Sequence, residues 1–421
     1  MNRRLLATGA ACLTVAAVVT IAQTREVPRP PLVAGAQPQG ESAAPDGYAP
    51  VPQWLGQTRA AVPAKSETFT VETVVSGVNA LNFRFLPDGR FIIAQRDGRL
   101  QTAGMDGKLS EPLPGLPANL YPKAGMNLMD VQPDRNFTVT RMIYFTYAVL
   151  PEGVDPAKVR NPTRVHVGSA KISADGTRLE GAKDLLDLEG TVGRVIQAPD
   201  GTLFLTSTAI AGFGIHSEEW PQPQQLDSLM GKLLRINPDG SVPRDNPFVG
   251  KAGARPEIYA LGFRDDQGLA IHPKTGKVWA SEHGPRGGDE INEIEKGKNY
   301  GFPIIGYGRD YNGKAINSDK TVQPGMEQPV YFWTPDIAPS GIAFYTGKMF
   351  PSWNGNVFVS ALAARYLVRL VLDGDRVVAE ERLLTDLNSR IRAVNEGPDG
   401  SLYVLTDGAN GKIVRLVKKA S

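Results

Sequence analysis

From about Phe69 to the C-terminus, short apolar runs rich in β-branched residues alternate with turns built of Gly, Asp and Asn. Runs of this length bounded by turn signals read as strands, and little helical periodicity separates them. One unit recurs, a Pro-Asp-Gly turn leading into a strand. It appears as Pro87-Asp88-Gly89 before Arg90–Ala94, as Pro199-Asp200-Gly201 before Thr202–Thr206, and as Pro398-Asp399-Gly400 before Ser401–Leu405. Pro273–Gly276 before Lys277–Ala280 and Trp353–Gly355 before Asn356–Val359 are variants, and Pro133-Asp134 before Met142–Ala148 marks a sixth. Pro presets φ, Asp bonds the backbone ahead of it, and Gly accepts positive φ, so the turn joins adjacent antiparallel strands. A supersecondary unit repeated about six times at irregular spacing predicts an all-β fold, a six-bladed β-propeller. A β-sandwich or two stacked β-domains are the alternatives. The irregular spacing places long insertions between strands, such as Ala209–Leu229, which a propeller gathers at the mouth of its channel.

The pattern differs before Phe69. Asn2-Arg3-Arg4 precedes an uncharged Ala- and Val-rich stretch, Leu5–Ala22. Residues 1–22 read as an export signal cleaved near Ala22. An uncleaved membrane anchor is the rival, since the run is about long enough to span a bilayer. Residues 23–66 are rich in Pro, Ala, Gly and Gln without visible period, and read as a flexible tether. The propeller is expected over 67–421.

Composition changes this picture in two respects. The 421 residues carry 46 Lys and Arg against 44 Asp and Glu. Removing Arg3 and Arg4 with the signal leaves a neutral chain, which offers no electrostatic case for nucleic acid. The single cysteine, Cys12, lies inside the signal. A mature chain without thiols forms no disulfide and no thiolate metal site, which is compatible with a periplasmic or secreted protein resting on its core.

The polar groups that no core requires concentrate in Glu257–Gly308. Arg264-Asp265-Asp266 follows an apolar run, Glu282-His283-Gly284-Pro285 follows a strand-like run, and Asp289-Glu290-Ile291-Asn292 and Asn299-Tyr300-Gly301 complete it. Glycine lets bare backbone approach a ligand, and carboxylates and carbonyls suit a hard cation. An ordinary long surface turn is the competing reading.

These stretches, with Ser228–Ile236, Ala338–Gly341, Phe350–Trp353 and Arg390-Ile391-Arg392, resemble the soluble pyrroloquinoline-quinone (PQQ) sugar dehydrogenases, the glucose/sorbosone and aldose sugar dehydrogenase family. The resemblance runs from about Thr73 to Leu416. It implies a six-bladed propeller with PQQ over the channel, an external electron acceptor, and a sugar hydroxyl oxidised by hydride transfer to the quinone while a histidine takes the proton. Carried over residue by residue, Arg264, Asp265, Arg390 and Arg392 fall at cofactor-binding positions. Gly284 and Pro285 match the carbonyls that hold the cofactor's Ca²⁺, and Glu290 and Tyr300 match ligands of a second, structural Ca²⁺.

The reactive positions depart from the family. The histidine base of its His-x-x-Gly-Arg run is Gly190 here, ahead of Gly193-Arg194. Asp265 replaces an asparagine, a family glutamine aligns near Gly125, and a lysine of some members is Ala363. The catalytic residue is therefore unassigned. His216, in the long insertion, and Glu189, beside the vacant position, are the candidates to replace it. His166 and His272 lie in or beside strand runs, and His283 belongs to the Gly-Pro loop. The resemblance implies a PQQ-dependent oxidoreductase acting on an aldose or related alcohol. A catalytically silent, calcium-binding propeller that takes a sugar or protein partner is the alternative. A calcium-dependent lactonase would need carboxylates and asparagines converging on one ion, which the sequence does not supply.

Overall fold

The computed structural model describes residues 48, 50–122, 125–158, 163–209 and 222–419. Six antiparallel sheets follow one another along the chain. The first blade is Ala80–Phe85, Phe91–Gln95 and Leu100–Ala103; the second is Leu128–Pro133, Met142–Val149, Arg164–Ile172 and Leu179–Asp187. The third is Val195–Gln197, Leu203–Ser207, Lys232–Ile236 and Ile258–Leu261; the fourth is Asp266–Ile271, Val278–Glu282, Asp289–Ile294 and Tyr331–Trp333. The fifth is Pro339–Phe344, Val357–Ala361, Leu367–Asp373 and Arg376–Leu383. The sixth, Ile391–Glu396, Leu402–Thr406 and Gly411–Lys418, is completed from the other end of the chain by Phe69–Val78. That strand pairs antiparallel with Gly411–Lys418, from Phe69 opposite Lys418 to Val78 opposite Gly411, and so closes the ring.

The first strand of each blade is innermost. Asn82, Asp130, Arg194, Gln267, Gly341 and Arg392, one from each blade or its leading residue, line a narrow axial cavity of about 260 Å³. Apolar residues between blades form the core, for example Trp279, Phe344 and Val359 between the fourth and fifth.

All six repeated turns fall at the same structural place, between the innermost strand and the second strand of a blade. The local chemistry is as the sequence predicts. The N–H groups of Arg90, Thr202 and Ser401 donate to Oδ1 of Asp88, Asp200 and Asp399 at 3.0, 3.0 and 3.1 Å. At the fourth blade His272 replaces the aspartate, its Nδ1 accepting from the N–H groups of Lys274 and Thr275. His272 is thus a turn-former, and His166 on the second blade is paired with Asp184 at 2.7 Å.

One expectation needs correction. The stretch read as a free tether includes residues 57–66, which lie against the propeller. Gln57 is fully buried, and its carbonyl accepts from Phe332 N–H at 2.9 Å. Ala61 C=O accepts from Glu380 N–H, and Ala60 N–H donates to the Tyr331 hydroxyl. The outer strands of the fourth and fifth blades present edge N–H groups that need partners, and a segment without side-chain periodicity can supply them through its backbone alone. No helix among the described residues is long and apolar enough to cross a membrane. The export segment and His216 lie outside the described residues.

Candidate functional site

Each innermost strand begins at one end of the channel and runs to its repeated turn at the other. The loops that precede innermost strands, and those between second and third strands, therefore share the first end, the mouth. Arg264 and Asp265 lead into the fourth blade, Gly190–Arg194 into the third, and Arg390–Arg392 into the sixth. The Glu282–Asp289 loop returns to the same end. Topology thus gathers residues widely separated in sequence.

Two clusters form there. In the first, Asp407, between the second and third strands of the sixth blade, is surrounded by guanidinium groups. Arg390 Nε reaches it at 3.1 Å and Arg392 Nε at 3.2 Å, and Arg96 of the first blade also pairs with it. Burial alone would raise the Asp407 carboxyl, but Arg392, Arg96 and Arg390 outweigh it and hold the group at about 2. Three cations on one carboxylate leave net positive charge. Burial, then the nearby charges of Arg194 and Arg96, push Arg392 down to about 10. Arg96 and Asp407 carried no sequence signal of their own, being 311 residues apart in different blades.

In the second cluster, Arg264 is buried and donates from Nη1 to the carbonyls of both His283 and Gly284 at 2.9 Å. The loop is held by Asp289, which accepts from Gly284 N–H at 2.9 Å and from Ile337 and Ala338 N–H at 2.7 Å. A Cβ added at Gly284 would lie 2.1 Å from Gly287 O, so only glycine fits. Arg264, Gly284, Pro285, Glu290 and Tyr300 all line one cavity of about 400 Å³. No hydrogen bond or ion pair links this cluster to Arg390 and Arg392 among the described residues.

Asp265 does not face open space. It is buried, accepting from Gln267 Nε2 at 2.6 Å and lying 3.4 Å from His283 Nδ1. Burial would raise its carboxyl, but His283 and Arg264 hold it below the ordinary range. Its added charge is therefore absorbed within the loop.

The two cation positions differ. Burial and mutual repulsion raise Glu290 and Asp266 well above the carboxylate range, and burial first of all takes Glu282 to about 7. Carboxylates so placed suit a hard cation, and Glu290 and Tyr300 line the same cavity. The Tyr300 hydroxyl is committed elsewhere, donating to Glu293 O at 2.6 Å and accepting from Glu295 N–H. The described residues contain no ready-made group of three His, Cys, Asp or Glu around one point. At Gly284 the fit fails as arranged, because its carbonyl already accepts from a guanidinium. A divalent ion on the same oxygen would stand beside a like charge.

The base position is closed. A Cβ at Gly190 would lie 2.7 Å from Ser207 Oγ and Thr208 O and 2.8 Å from Thr208 N. Glu189 turns away to pair with Arg255 at 2.6 Å, its other oxygen accepting from Leu229 N–H and the Ser228 hydroxyl. It is a fastener of the long insertion rather than a free base. Lys232, fully buried at the same insertion, donates to the carbonyls of Gln222 and Met230 at 2.6 and 2.8 Å. Burial lowers it to about 7.

The structure is thus a six-bladed propeller whose mouth carries arginines and a Gly-Pro carbonyl loop. The sequence profile for glucose/sorbosone dehydrogenase matches residues 78–415, and the chain belongs to that family. The aldose sugar dehydrogenase YliI of Escherichia coli is 36% identical over 334 residues, covering 79% of this chain and 88% of the relative. The quinoprotein glucose dehydrogenase B of Acinetobacter calcoaceticus is 31% identical over 283 residues, 52% of this chain and 59% of its own length. A crystal structure of a glucose dehydrogenase superposes with TM-score 0.75 at 39% identity, covering 84% of this chain and all of that one.

Proposed function

We propose that the chain is an exported PQQ-dependent oxidoreductase that binds an aldose or a related alcohol at the propeller mouth. The observation that carries this reading is the gathering of Arg96, Arg390 and Arg392 on Asp407, at the same end of the channel as the arginine-bearing loop of the fourth blade. Guanidinium forks at a partly desolvated mouth match the carboxylates of a small polyanion, and net positive charge there favours its capture. Kinship with enzymes named for sugar oxidation and for a quinone supports the choice of ligand.

When bound, the quinone would supply the hydride acceptor. This chain's residues would do the rest. Arg390 and Arg392 would hold the cofactor's charge, with Asp407 anchoring both side chains. Arg264 would stiffen the Gly284 loop. Glu290 and the Tyr300 carbonyl would hold a structural calcium under that loop. Cleavage of the export segment would leave the protein periplasmic or secreted.

Gly190 favours a second reading. With its Cβ space filled by Ser207 and Thr208, no side chain takes a proton there, and general-base work is worth about 10²–10⁴-fold in rate. A propeller that binds the quinone or a sugar without rapid turnover is consistent with that. Titrating PQQ into the purified chain with calcium, then adding aldoses and a dye acceptor, separates the readings. Stoichiometric uptake with sugar-dependent dye reduction supports the enzyme, uptake without reduction selects the silent propeller, and no uptake rejects both quinone-binding versions.

A further inference from the structure

The resemblance assigns the Gly284 carbonyl to a calcium ion that would accompany the cofactor. The geometry gives that oxygen a different cation. Arg264 Nη1 lies 2.9 Å from Gly284 O and 2.9 Å from His283 O. The arginine is 3% exposed, so the contact is not a passing surface pose. The backbone is fastened to match. Arg264 N–H is bonded to the Glu282 carboxylate, and Gly284 N–H donates to Asp289. The carbonyl loop and the backbone of Arg264 are thus both fastened, and the guanidinium is held by Nη1 on the two carbonyls. Moving Arg264 aside to admit an ion would leave a buried cation without acceptors, which is costly.

We infer that the Arg264 guanidinium takes the place of the cofactor's calcium in this chain. The polycarboxylate quinone would then be bound by guanidinium groups alone, with no metal ion of its own. Like charge beside the Gly284 oxygen excludes a second cation, and a planar fork offers the donors that a hard ion would otherwise offer as a point charge. Asp265 fits this arrangement. Its buried carboxylate lies near Arg264 and lowers the cost of holding a permanent charge in the loop. The inference rests on the PQQ reading above. It concerns only the Gly284 position and leaves the separate site at Glu290 and Tyr300 untouched.

The test counts calcium. The full chain is equilibrated with calcium, desalted, and assayed for calcium per chain by atomic emission, with and without saturating PQQ. PQQ affinity is followed in parallel by quenching of tryptophan fluorescence. The expected result is that PQQ binds and adds no calcium to the count. Arg264→Ala should take up one further calcium ion with each PQQ, and its PQQ affinity should become calcium-dependent by about ten-fold or more. Uptake of one calcium ion with each PQQ by the unaltered chain overturns the inference and leaves the PQQ reading standing. Failure of PQQ to bind the unaltered chain overturns that reading and this inference with it. Should Arg264→Ala not fold, the calcium count on the unaltered chain still decides.

Discussion

The two ends of the channel are built on different principles. At the turn end, one hairpin position is used six times, and in five of the six an aspartate, or His272 in its place, caps the backbone ahead of it. Each copy is local, and its partners lie within a few residues. At the mouth nothing repeats. Arg96 meets Asp407 across 311 residues, Arg264 crosses to the Gly284 loop, and Glu189 reaches Arg255. Repetition marks what the fold needs, because every blade must make the same hairpin. Unrepeated, buried, charged contacts are what the fold does not need, and they concentrate where a ligand would sit.

Just inside the mouth, at the head of the third blade's innermost strand, stands Arg194. From the leading edge of the third blade it donates to Gln267 O of the fourth at 2.7 Å and Met129 O of the second at 2.9 Å, with a longer contact to Leu81 O of the first. One guanidinium therefore ties four blades at the axis. Replacing it with alanine should be the most damaging change, destabilising the chain by about 3 kcal/mol or more as buried carbonyls lose their donors. Chemical denaturation measures this. A loss under about 1 kcal/mol would mean that the blades need no axial tie.

Next in size comes the mouth itself. Arg392→Ala should weaken PQQ binding by about ten-fold or more, with little change in Tm. Its counterpart at the turn end is Asp200→Ala, which removes acceptors for Thr202 N–H and the Thr202 hydroxyl. That change should cost about 1 kcal/mol of stability and leave PQQ affinity alone. If the two variants exchanged phenotypes, the division between the ends would be false.

Gly190→His sharpens the same comparison. Restoring the family's residue type should not restore rapid turnover, because Ser207 and Thr208 fill the space its Cβ would need. Overpacking should cost about 1–3 kcal/mol, read by denaturation beside dye reduction. A variant of undiminished stability with new sugar-dependent activity would show that the site is open after all.

A pH dependence at the mouth extends the comparison to charge. Lys232 is lowered to about 7 by burial. Below pH 7 it is charged in both the folded and unfolded chain, so the full penalty of burying the charge is present. Between about pH 7 and its unfolded value near 10.4, the folded chain alone sheds the proton and the penalty fades. Stability should therefore rise with pH across that window, relative to Lys232→Met. Parallel Tm profiles for the two proteins would refute the assignment.

The sequence reveals these features unevenly, and the reasons are physical. The Pro-Asp-Gly turns were legible because their hydrogen bonds are made within a few residues. The count of six followed from them. Arg390, Arg392 and Arg264 were legible only through family resemblance, since nothing local separates them from surface charges. Asp407 and Arg96 were not legible, because their meeting depends on how the ring closes. That closure is made by Phe69–Val78 against Gly411–Lys418, the two ends of the propeller's chain. The docking of residues 57–66 was missed because its contacts, from backbone at Gln57, Ala60 and Ala61 and from the side chains of Gln57 and Ser66, are made to residues 250 or more positions away. The closed pocket at Gly190 was legible as a missing histidine but not as a filled space.

A structure of the chain crystallised with PQQ tests the central claim most directly. The account predicts the quinone at the mouth, its carboxylates on Arg390 and Arg392 and its edge toward Arg264 and the Gly284 loop. A mouth without bound cofactor at saturating PQQ, with all three arginines still on their present protein partners, would contradict it.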